Sequence, residues 1–93
     1  MRRIEPTNSF KRDFRRVKSV PVHRDIETLL PEVLKLLAAD MPLPRENNDH
    51  PLTGEWKDHR DCHIKPDLVL IYRKPDAEVL QLVRLGSHSE LGW

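Results

Sequence analysis

The fold is indicated most clearly by residues 60–72, which read Arg60-Asp61-Cys62-His63-Ile64-Lys65-Pro66-Asp67-Leu68-Val69-Leu70-Ile71-Tyr72. Its second half is a continuous apolar run, which is typical of a strand buried on both faces of a sheet. Its first half is shorter and alternates. Because Pro66 cannot donate to a ladder and biases Lys65 toward extended geometry, we predict a tight connection between two antiparallel strands. His63 and Asp67 then lie on either side of that connection.

Two helices are predicted before this stretch. Phe10, Phe14 and Val17 recur at helical spacing and are surrounded by basic side chains, so we predict a basic amphipathic helix over residues 9–19. A second, leucine-rich stripe follows and keeps its phase across Pro31. An interior proline removes a helical hydrogen bond, so this stripe predicts a single helix that is kinked at the proline.

The second half of the chain reads as a long loop followed by strands. Residues 40–54 are rich in proline and asparagine, show no periodicity and carry His50, which predicts a functional loop. Strand-like runs follow at about 55–64, 68–74 and 78–86. The order of elements predicts an α+β fold in which two N-terminal helices pack on a twisted antiparallel β-sheet.

The length and the charge limit the possible classes of protein. Ninety-three residues form one domain, 1–93, with a modest core. Residues 1–24 carry eight Lys and Arg against two Asp and Glu, or +6, whereas residues 25–93 carry eight against thirteen, or −5. This asymmetry indicates an anionic partner for the N-terminal end, although a solvated helix face explains the charge equally well.

The cysteine content and the N-terminus indicate a compartment. The single Cys62 excludes an internal disulfide and fits a reducing environment. No apolar run approaches the length that spans a membrane, and the first residues lack the apolar segment of a signal peptide. The expected location is therefore the cytoplasm.

Titratable side chains are predicted to converge at one sheet surface. If the strands pair consecutively, His63, Asp67, Arg84 and His88 meet there, and the long loop can bring His50 over them. Imidazoles with a carboxylate and a guanidinium suit transesterification of RNA. A base takes the proton of a ribose 2′-OH, an acid protonates the departing 5′-oxygen, and arginine holds the phosphate. This chemistry needs no metal, and we expect no cofactor.

Structural explanations exist for the same residues. Arg84 at a strand end is also typical of an exposed charge or of a partner for Asp67, and His63 is also typical of a half-buried residue. His23 is predicted to lie at the surface. The chain also holds a loose set of metal-ligand residue types, which lacks a second ligand pair at matching spacing: His59, Asp61, Cys62 and His63.

Three motifs together resemble the YafQ-type toxins of the RelE/ParE superfamily. They are Asp-His-Pro-Leu-Thr-Gly-Glu-Trp-Lys at 49–57, the stretch 60–72 quoted above, and Arg-Leu-Gly-Ser-His-Ser-Glu-Leu at 84–91. The Phe-Lys-Arg-Asp segment from Phe10 extends the resemblance to nearly the whole chain. It implies a RelE-like fold and a bacterial toxin of a type II toxin–antitoxin system. Such a toxin cuts messenger RNA in the decoding site of the ribosome, is silenced by a cognate antitoxin, and meets operator DNA only through that antitoxin.

Carried over residue by residue, the resemblance implies a catalytic set: His50, His63, Asp67, Arg84 and His88. We expect Arg84 at the scissile phosphate and His88 as the acid. Asp67 is then either the base or the group that orients His63, and His50 is either the base or a substrate contact.

The resemblance also implies contacts to RNA. The family usually ends in an aromatic residue thought to contact a base, and here Gly92 stands at that place with Trp93 one position later. The basic face of the first helix would bind ribosomal RNA, with affinity that falls as salt rises. The predicted substrate-binding residues are Lys11, Arg12, Arg15, Arg16, Lys18 and Trp93.

Three other functions compete with this one. A ParE-like gyrase poison is not a nuclease and has no need for three such histidines. A catalytically silent member would act only as a corepressor with its antitoxin on DNA. A plain RNA-binding domain is the third, and five aromatic residues in the chain are few for that role.

Overall fold

The computed structural model describes residues 1–92 and confirms the α+β arrangement. The sheet has five strands in the order β1-β5-β4-β3-β2. The strands are β1 (Arg3–Pro6), β2 (His50–Pro51), β3 (Arg60–Lys65), β4 (Leu68–Arg73) and β5 (Val79–Gly86). The helices are α1 (Asn8–Lys18), α2 (Ile26–Ala38) and α3 (His88–Leu91).

The sheet is mixed, which corrects the prediction of a wholly antiparallel sheet. Strand β1 pairs in parallel with β5, from Arg3 beside Val79 to Pro6 beside Leu82, whereas the other three pairs are antiparallel. Parallel strands need a long crossover, and most of the chain, including α1 and α2, lies between β1 and β5. Sequence patterns in a four-residue strand carry no information about that distant partner.

Both predicted N-terminal helices are present. The hydroxyl of Thr7 caps α1 by accepting a hydrogen bond from the amide of Phe10 at 3.0 Å. Helix α1 ends at Lys18, three residues before Pro21 begins a 3-10 turn. Helix α2 continues through Pro31, as the phase of its apolar stripe predicted.

The two faces of the sheet are packed differently. One face carries the main core, in which Phe10 and Val17 of α1 and the apolar stripe of α2 pack on β3, β4 and β5. The opposite face has a small apolar cluster built on Val69 and Ile71. Strand β4 is buried on both faces as its composition predicted, with Leu68–Tyr72 all at 1% exposure or less.

The segment between α2 and β3 is more ordered than the predicted loop, and the strand predicted from residue 55 begins only at Arg60. It contains a 3-10 turn at Arg45–Asn47, the short strand β2 and another 3-10 turn at Gly54–Trp56. Gly54 and Asp58 adopt positive φ of 68° and 74°, which interrupts the extended path before β3. Within residues 1–92 no helix has the length and apolar character needed to cross a bilayer.

Candidate active site

One row of residues crosses four strands on the sheet face opposite α1 and α2. His50 of β2 pairs with Asp61 of β3, Asp61 pairs with Ile71 of β4, and Ile71 pairs with Arg84 of β5. His63 lies two residues after Asp61, so it points to the same face one step along β3. Directly opposed residues share a face in antiparallel pairs, so the register brings the imidazoles of β2 and β3 together.

Asp61 lies at the centre of this group and is 1% exposed. Its Oδ1 is 3.2 Å from Nδ1 of His50, but it accepts no well-aligned hydrogen bond within residues 1–92. Burial raises the pKa of Asp61, against the opposing effect of positive charge on His50, His63 and His88. A buried carboxylate with an unsatisfied oxygen therefore faces three imidazoles.

The backbone around Asn48 determines which nitrogen of His50 is protonated. Asn48 adopts the left-handed conformation with φ of 46°, which asparagine tolerates well, and its carbonyl oxygen lies 2.7 Å from His50 Nδ1. A carbonyl only accepts, so Nδ1 carries the hydrogen. In the neutral ring, Nε2 is then the nitrogen that accepts a proton.

Two neighbouring contacts hold this segment against the sheet. Asp49 accepts hydrogen bonds from the buried hydroxyl of Tyr72 at 2.5 Å and from Arg60 at 3.2 Å. Asn47 donates to the backbone oxygen of His63 at 2.7 Å. His50 thus projects from a segment that is anchored on both β3 and β4, which favours a fixed ring position.

His88 enters the group from the other side. Its ring centroid lies 5.4 Å from that of His63 at an interplanar angle of 65°. His88 is the first residue of α3, which a capping box stabilises: Ser87 accepts from the amide of Glu90, and Glu90 accepts from the amide of Ser87. The capped turn places the imidazole of His88 beside that of His63.

A cavity of about 370 Å³ opens at these imidazoles. Part of its wall is apolar, because Leu52 and Trp56 pack on the small cluster built from Val69 and Ile71. The cavity lining combines this apolar wall with the titratable group: His50, Leu52, Thr53, Trp56, Asp61 and His88.

Arg84 is displaced from regular strand geometry by a bulge in β5. Ile71 pairs with Arg84 but the next residue, Tyr72, pairs with Leu82, so Val83 is an extra residue. Leu82 and Leu85 remain in the main core, whereas Val83 packs on the opposite cluster. The guanidinium of Arg84 is bound to Asp13 of α1, with Nε 2.7 Å from Oδ2. Its partner is therefore neither Asp67 nor solvent alone.

Asp67 does not join the imidazole group in this structure. Its side chain is 67% exposed, and within residues 1–92 its ion pair is with His23, whose Nε2 lies 4.0 Å away. The side chain of His23 is only 13% exposed, which corrects its predicted surface position. The hairpin turn packs against the connection between α1 and α2, because Lys65 also bonds the backbone of Val22 and the carboxylate of Asp25.

The predicted RNA-binding residues of α1 are all exposed: Lys11, Arg12, Arg15, Arg16 and Lys18. Arg16 is bound to the carboxylates of Asp13 at 2.8 Å and Glu90 at 3.1 Å, so it also connects α1 to α3. The predicted base contact, Trp93, lies outside the described residues.

Sequence reasoning did not assign Asp61 to the reaction. One signal could have found it: Asp61 and His63 alternate on the same strand directly before a fully buried strand, so a carboxylate there is buried beside an imidazole. No group of three or more metal-ligand side chains in residues 1–92 has a geometry that could hold a metal ion. His59 packs edge-on against Trp56 with ring centroids 5.2 Å apart.

Comparison with known proteins identifies the family. The family model for a bacterial toxin of type II toxin–antitoxin systems, YafQ, matches residues 2–92. The chain belongs to the YafQ toxin family. Among curated YafQ proteins, the mRNA interferase toxin YafQ of Escherichia coli K12 is 36% identical over 90 residues, which cover 97% of this chain and 95% of that protein.

Solved structures support the same assignment. The chain superimposes on YafQ in the crystal structure of the E. coli DinJ–YafQ complex with a TM-score of 0.85 at 34% identity, covering 100% of both chains. It superimposes on a metal-bound toxin from Helicobacter pylori with a TM-score of 0.84 at 46% identity, covering 98% of this chain and 99% of that one. The YafQ fold predicted from the three motifs is thus confirmed.

Proposed function

We propose that this YafQ-family protein is a ribosome-dependent endoribonuclease that cuts messenger RNA without a metal. The observation that carries the proposal is the grouping of His50, His63 and His88 around the buried carboxylate of Asp61. The E. coli relative is named an mRNA interferase, which is the same class of reaction. A gyrase poison or a silent corepressor has no use for such a group.

In the proposed reaction, His50 is the base and His88 is the acid. Nε2 of neutral His50 takes the proton of the ribose 2′-OH, because Nδ1 is committed to the carbonyl of Asn48. The 2′-oxygen attacks phosphorus, and the bond from phosphorus to the 5′-oxygen breaks. The imidazolium of His88 gives its proton to the departing oxygen. The products are a 2′,3′-cyclic phosphate and a 5′-hydroxyl end.

His63 and Asp61 support the two proton transfers. The ring of His63 packs against that of His88 and restricts its orientation. The carboxylate of Asp61 attracts the positive charge that passes between the imidazoles, and this attraction is strong because Asp61 is shielded from water. Arg84 is the cation proposed for the scissile phosphate, since a guanidinium stays charged and binds two oxygens at once. Asp67 would act only after the hairpin turn or the RNA moves toward the group.

Basic side chains on α1 are the proposed contact with ribosomal RNA. Lys11, Arg12, Arg15 and Lys18 are exposed on one helix, so binding should weaken as salt rises. The proposed protein partner is a cognate antitoxin, because the E. coli relative has been solved in complex with DinJ. Contact with operator DNA would then occur through that antitoxin.

The test is primer extension on a message translated by purified ribosomes. Wild-type protein should give fragments with 5′-hydroxyl ends, and the same message without ribosomes should stay intact. His88→Ala and Arg84→Ala should lower cleavage by roughly 10²–10⁴-fold, as expected for loss of an acid or of the phosphate cation. Arg24→Ala is the matched control, because Arg24 is exposed and, among residues 1–92, its guanidinium bonds only the local carbonyl of Pro21. Undiminished fragments with both variants would reject the site, and intact messages with trapped gyrase would favour the poison.

A further inference from the structure

Asp13 is a second buried carboxylate, and both of its oxygens are bound. Its side chain is 4% exposed. Oδ2 accepts from Nε of Arg84 at 2.7 Å and from the amide of Leu85 at 3.0 Å. Oδ1 accepts from Nη1 of Arg16 at 2.8 Å and from Nη2 of Arg84 at 3.4 Å. Since both oxygens accept two hydrogen bonds, from donors on α1 and β5, the carboxylate cannot rotate without losing some of them.

This arrangement fixes one edge of the Arg84 guanidinium and leaves the other available. A guanidinium has five N–H donors in one plane. The Nε–Nη2 edge of Arg84 faces Asp13, and within residues 1–92 Nη1 makes no hydrogen bond. The side chain is 31% exposed, so the outer Nη1–Nη2 edge can still bind two phosphate oxygens.

The position of Asp13 relative to the β5 bulge explains why α1 supplies the carboxylate. Strand β1 pairs with β5 only as far as Leu82, so the next residues of β5 have an unpaired edge on that side. Helix α1 covers that edge: Thr7 donates to the carbonyl of Val83, Asp13 accepts from Leu85, and Arg16 donates to the carbonyl of Leu85 at 3.1 Å. The bulge that redirects Arg84 is therefore held from α1.

We propose that Asp13 is a positioning residue for RNA cleavage, which holds the guanidinium of Arg84 in the orientation that binds the scissile phosphate. This inference rests on the proposed function of Arg84. Asp13 itself does not touch the RNA. Asp13 orders the flexible side chain of Arg84 before the substrate arrives. The conformational entropy of Arg84 is then already lost before the transition state forms.

The first experiment compares Asp13→Asn with wild type in single-turnover cleavage on programmed ribosomes. Asparagine keeps the shape but removes the charge that orients the guanidinium. The maximal rate should fall by roughly 10²-fold while the ribosome concentration at half-maximal rate changes little. Asp25→Asn is the matched control, because that carboxylate is exposed and paired with Lys65, and it should leave both parameters unchanged. An unchanged maximal rate for Asp13→Asn would overturn the proposal.

A double-mutant cycle separates positioning from a general structural effect. If Asp13 acts through Arg84, adding Asp13→Asn to Arg84→Ala should cause no further loss of rate. If Asp13 only stabilises the fold, the two losses should multiply, which would also overturn the proposal. If wild-type protein cleaves no RNA, the proposed function itself is wrong. If wild type and Asp13→Asn cleave RNA at the same rate, only the role proposed for Asp13 is wrong.

A measurement on wild-type protein keeps the proposal testable if Asp13→Asn does not fold. Nitrogen-15 relaxation of the Arg84 Nε–H group should show an ordered side chain, in contrast to that of exposed Arg15. An Arg84 signal as mobile as that of Arg15 would overturn the proposal whatever the variants do.

Discussion

Of the charged side chains in residues 1–92, Asp13 and Asp61 are the two that are buried, and their surroundings are opposite. Burial alone would raise the pKa of Asp13, but hydrogen bonds from Arg84, Leu85 and Arg16 outweigh it and hold this pKa below the ordinary value. Within residues 1–92, Oδ1 of Asp61 accepts no hydrogen bond, and burial raises the pKa of this carboxyl. The surroundings of Asp13 stabilise its ionised form, whereas the surroundings of Asp61 disfavour its ionised form.

The contrast shows where the fold tolerates an unfavourable buried charge. A buried carboxylate with an unsatisfied oxygen lowers stability, so the presence of Asp61 beside three imidazoles indicates a functional reason. Asp13 lies on α1 beside β5, and hydrogen bonds to both of its oxygens stabilise its buried charge. We therefore expect amide substitutions at the two positions to have opposite effects on stability, although both should reduce cleavage.

The largest effect is expected for Asp61→Asn. Cleavage on ribosomes should fall by roughly 10²–10³-fold, because the fixed negative charge facing the imidazoles is lost. At neutral pH the free energy of unfolding should rise, because a neutral amide replaces a carboxylate whose ionisation the site disfavours. The measurements are single-turnover cleavage and denaturant unfolding of the same protein.

A matched control for that variant is Asp58→Asn. Asp58 is exposed and has φ of 74°, a conformation that asparagine accepts, so both activity and stability should stay near those of wild type. If Asp61→Asn retains wild-type cleavage, or unfolds more easily at neutral pH, the contrast between the two buried carboxylates is wrong.

An intermediate effect is expected in the pH dependence of stability. The folded-state pKa of Asp61 lies above the ordinary 3.8, so the stability contributed by its protonated form is complete below that value and is lost as pH rises through the folded pKa. The folded-state pKa of Asp13 lies below 3.8, so its contribution is present above that value and is lost as pH falls. Unfolding curves of wild type, Asp61→Asn and Asp13→Asn from acidic to neutral pH measure both contributions.

The two stability differences should therefore change in opposite directions. Relative to wild type, Asp61→Asn should gain stability as pH rises above about 4. Asp13→Asn should be least stable relative to wild type near neutral pH and approach it in acid. Parallel curves for the two variants would show that both carboxylates have the same environment, contrary to the hydrogen-bond pattern.

Local patterns were sufficient to predict much of the fold. The apolar run of β4 and the helical stripes of α1 and α2 report burial directly, because each is read from neighbouring residues. The parallel partner of β1 and the Val83 bulge depend on residues far along the chain. The pair of Arg84 with Asp13 joins positions 71 residues apart, so no local pattern specifies it.

For the candidate site, the sequence indicated residues but not their arrangement. Strand alternation and the three motifs indicated His50, His63, Arg84 and His88, and the structure brings the three imidazoles together. The difference in burial between the two carboxylates near His63 is visible only in three dimensions. Asp61 lies on the strand inside the sheet and is buried, whereas Asp67 lies in the exposed turn beyond it.

The smallest effect on stability is expected for Asp67→Asn, and for that reason its activity is informative. Asp67 is exposed and its nearest ionic partner, His23, is 4.0 Å away, so the free energy of unfolding should change by less than about 0.5 kcal/mol. If Asp67 contacts the RNA, cleavage should still fall about tenfold, the equivalent of losing one charge-assisted hydrogen bond of about 1.5 kcal/mol.

Single-turnover cleavage by Asp67→Asn, measured beside Asp25→Asn on the same side of the molecule, tests this expectation. A loss of cleavage confined to Asp67→Asn would extend the site from the imidazole group to the hairpin turn. It would also predict that bound RNA contacts the carboxylate that is paired with His23 in this structure. Equal activity for the two variants would instead restrict the reaction to the imidazole group, where the buried carboxylate of Asp61 supplies the negative charge.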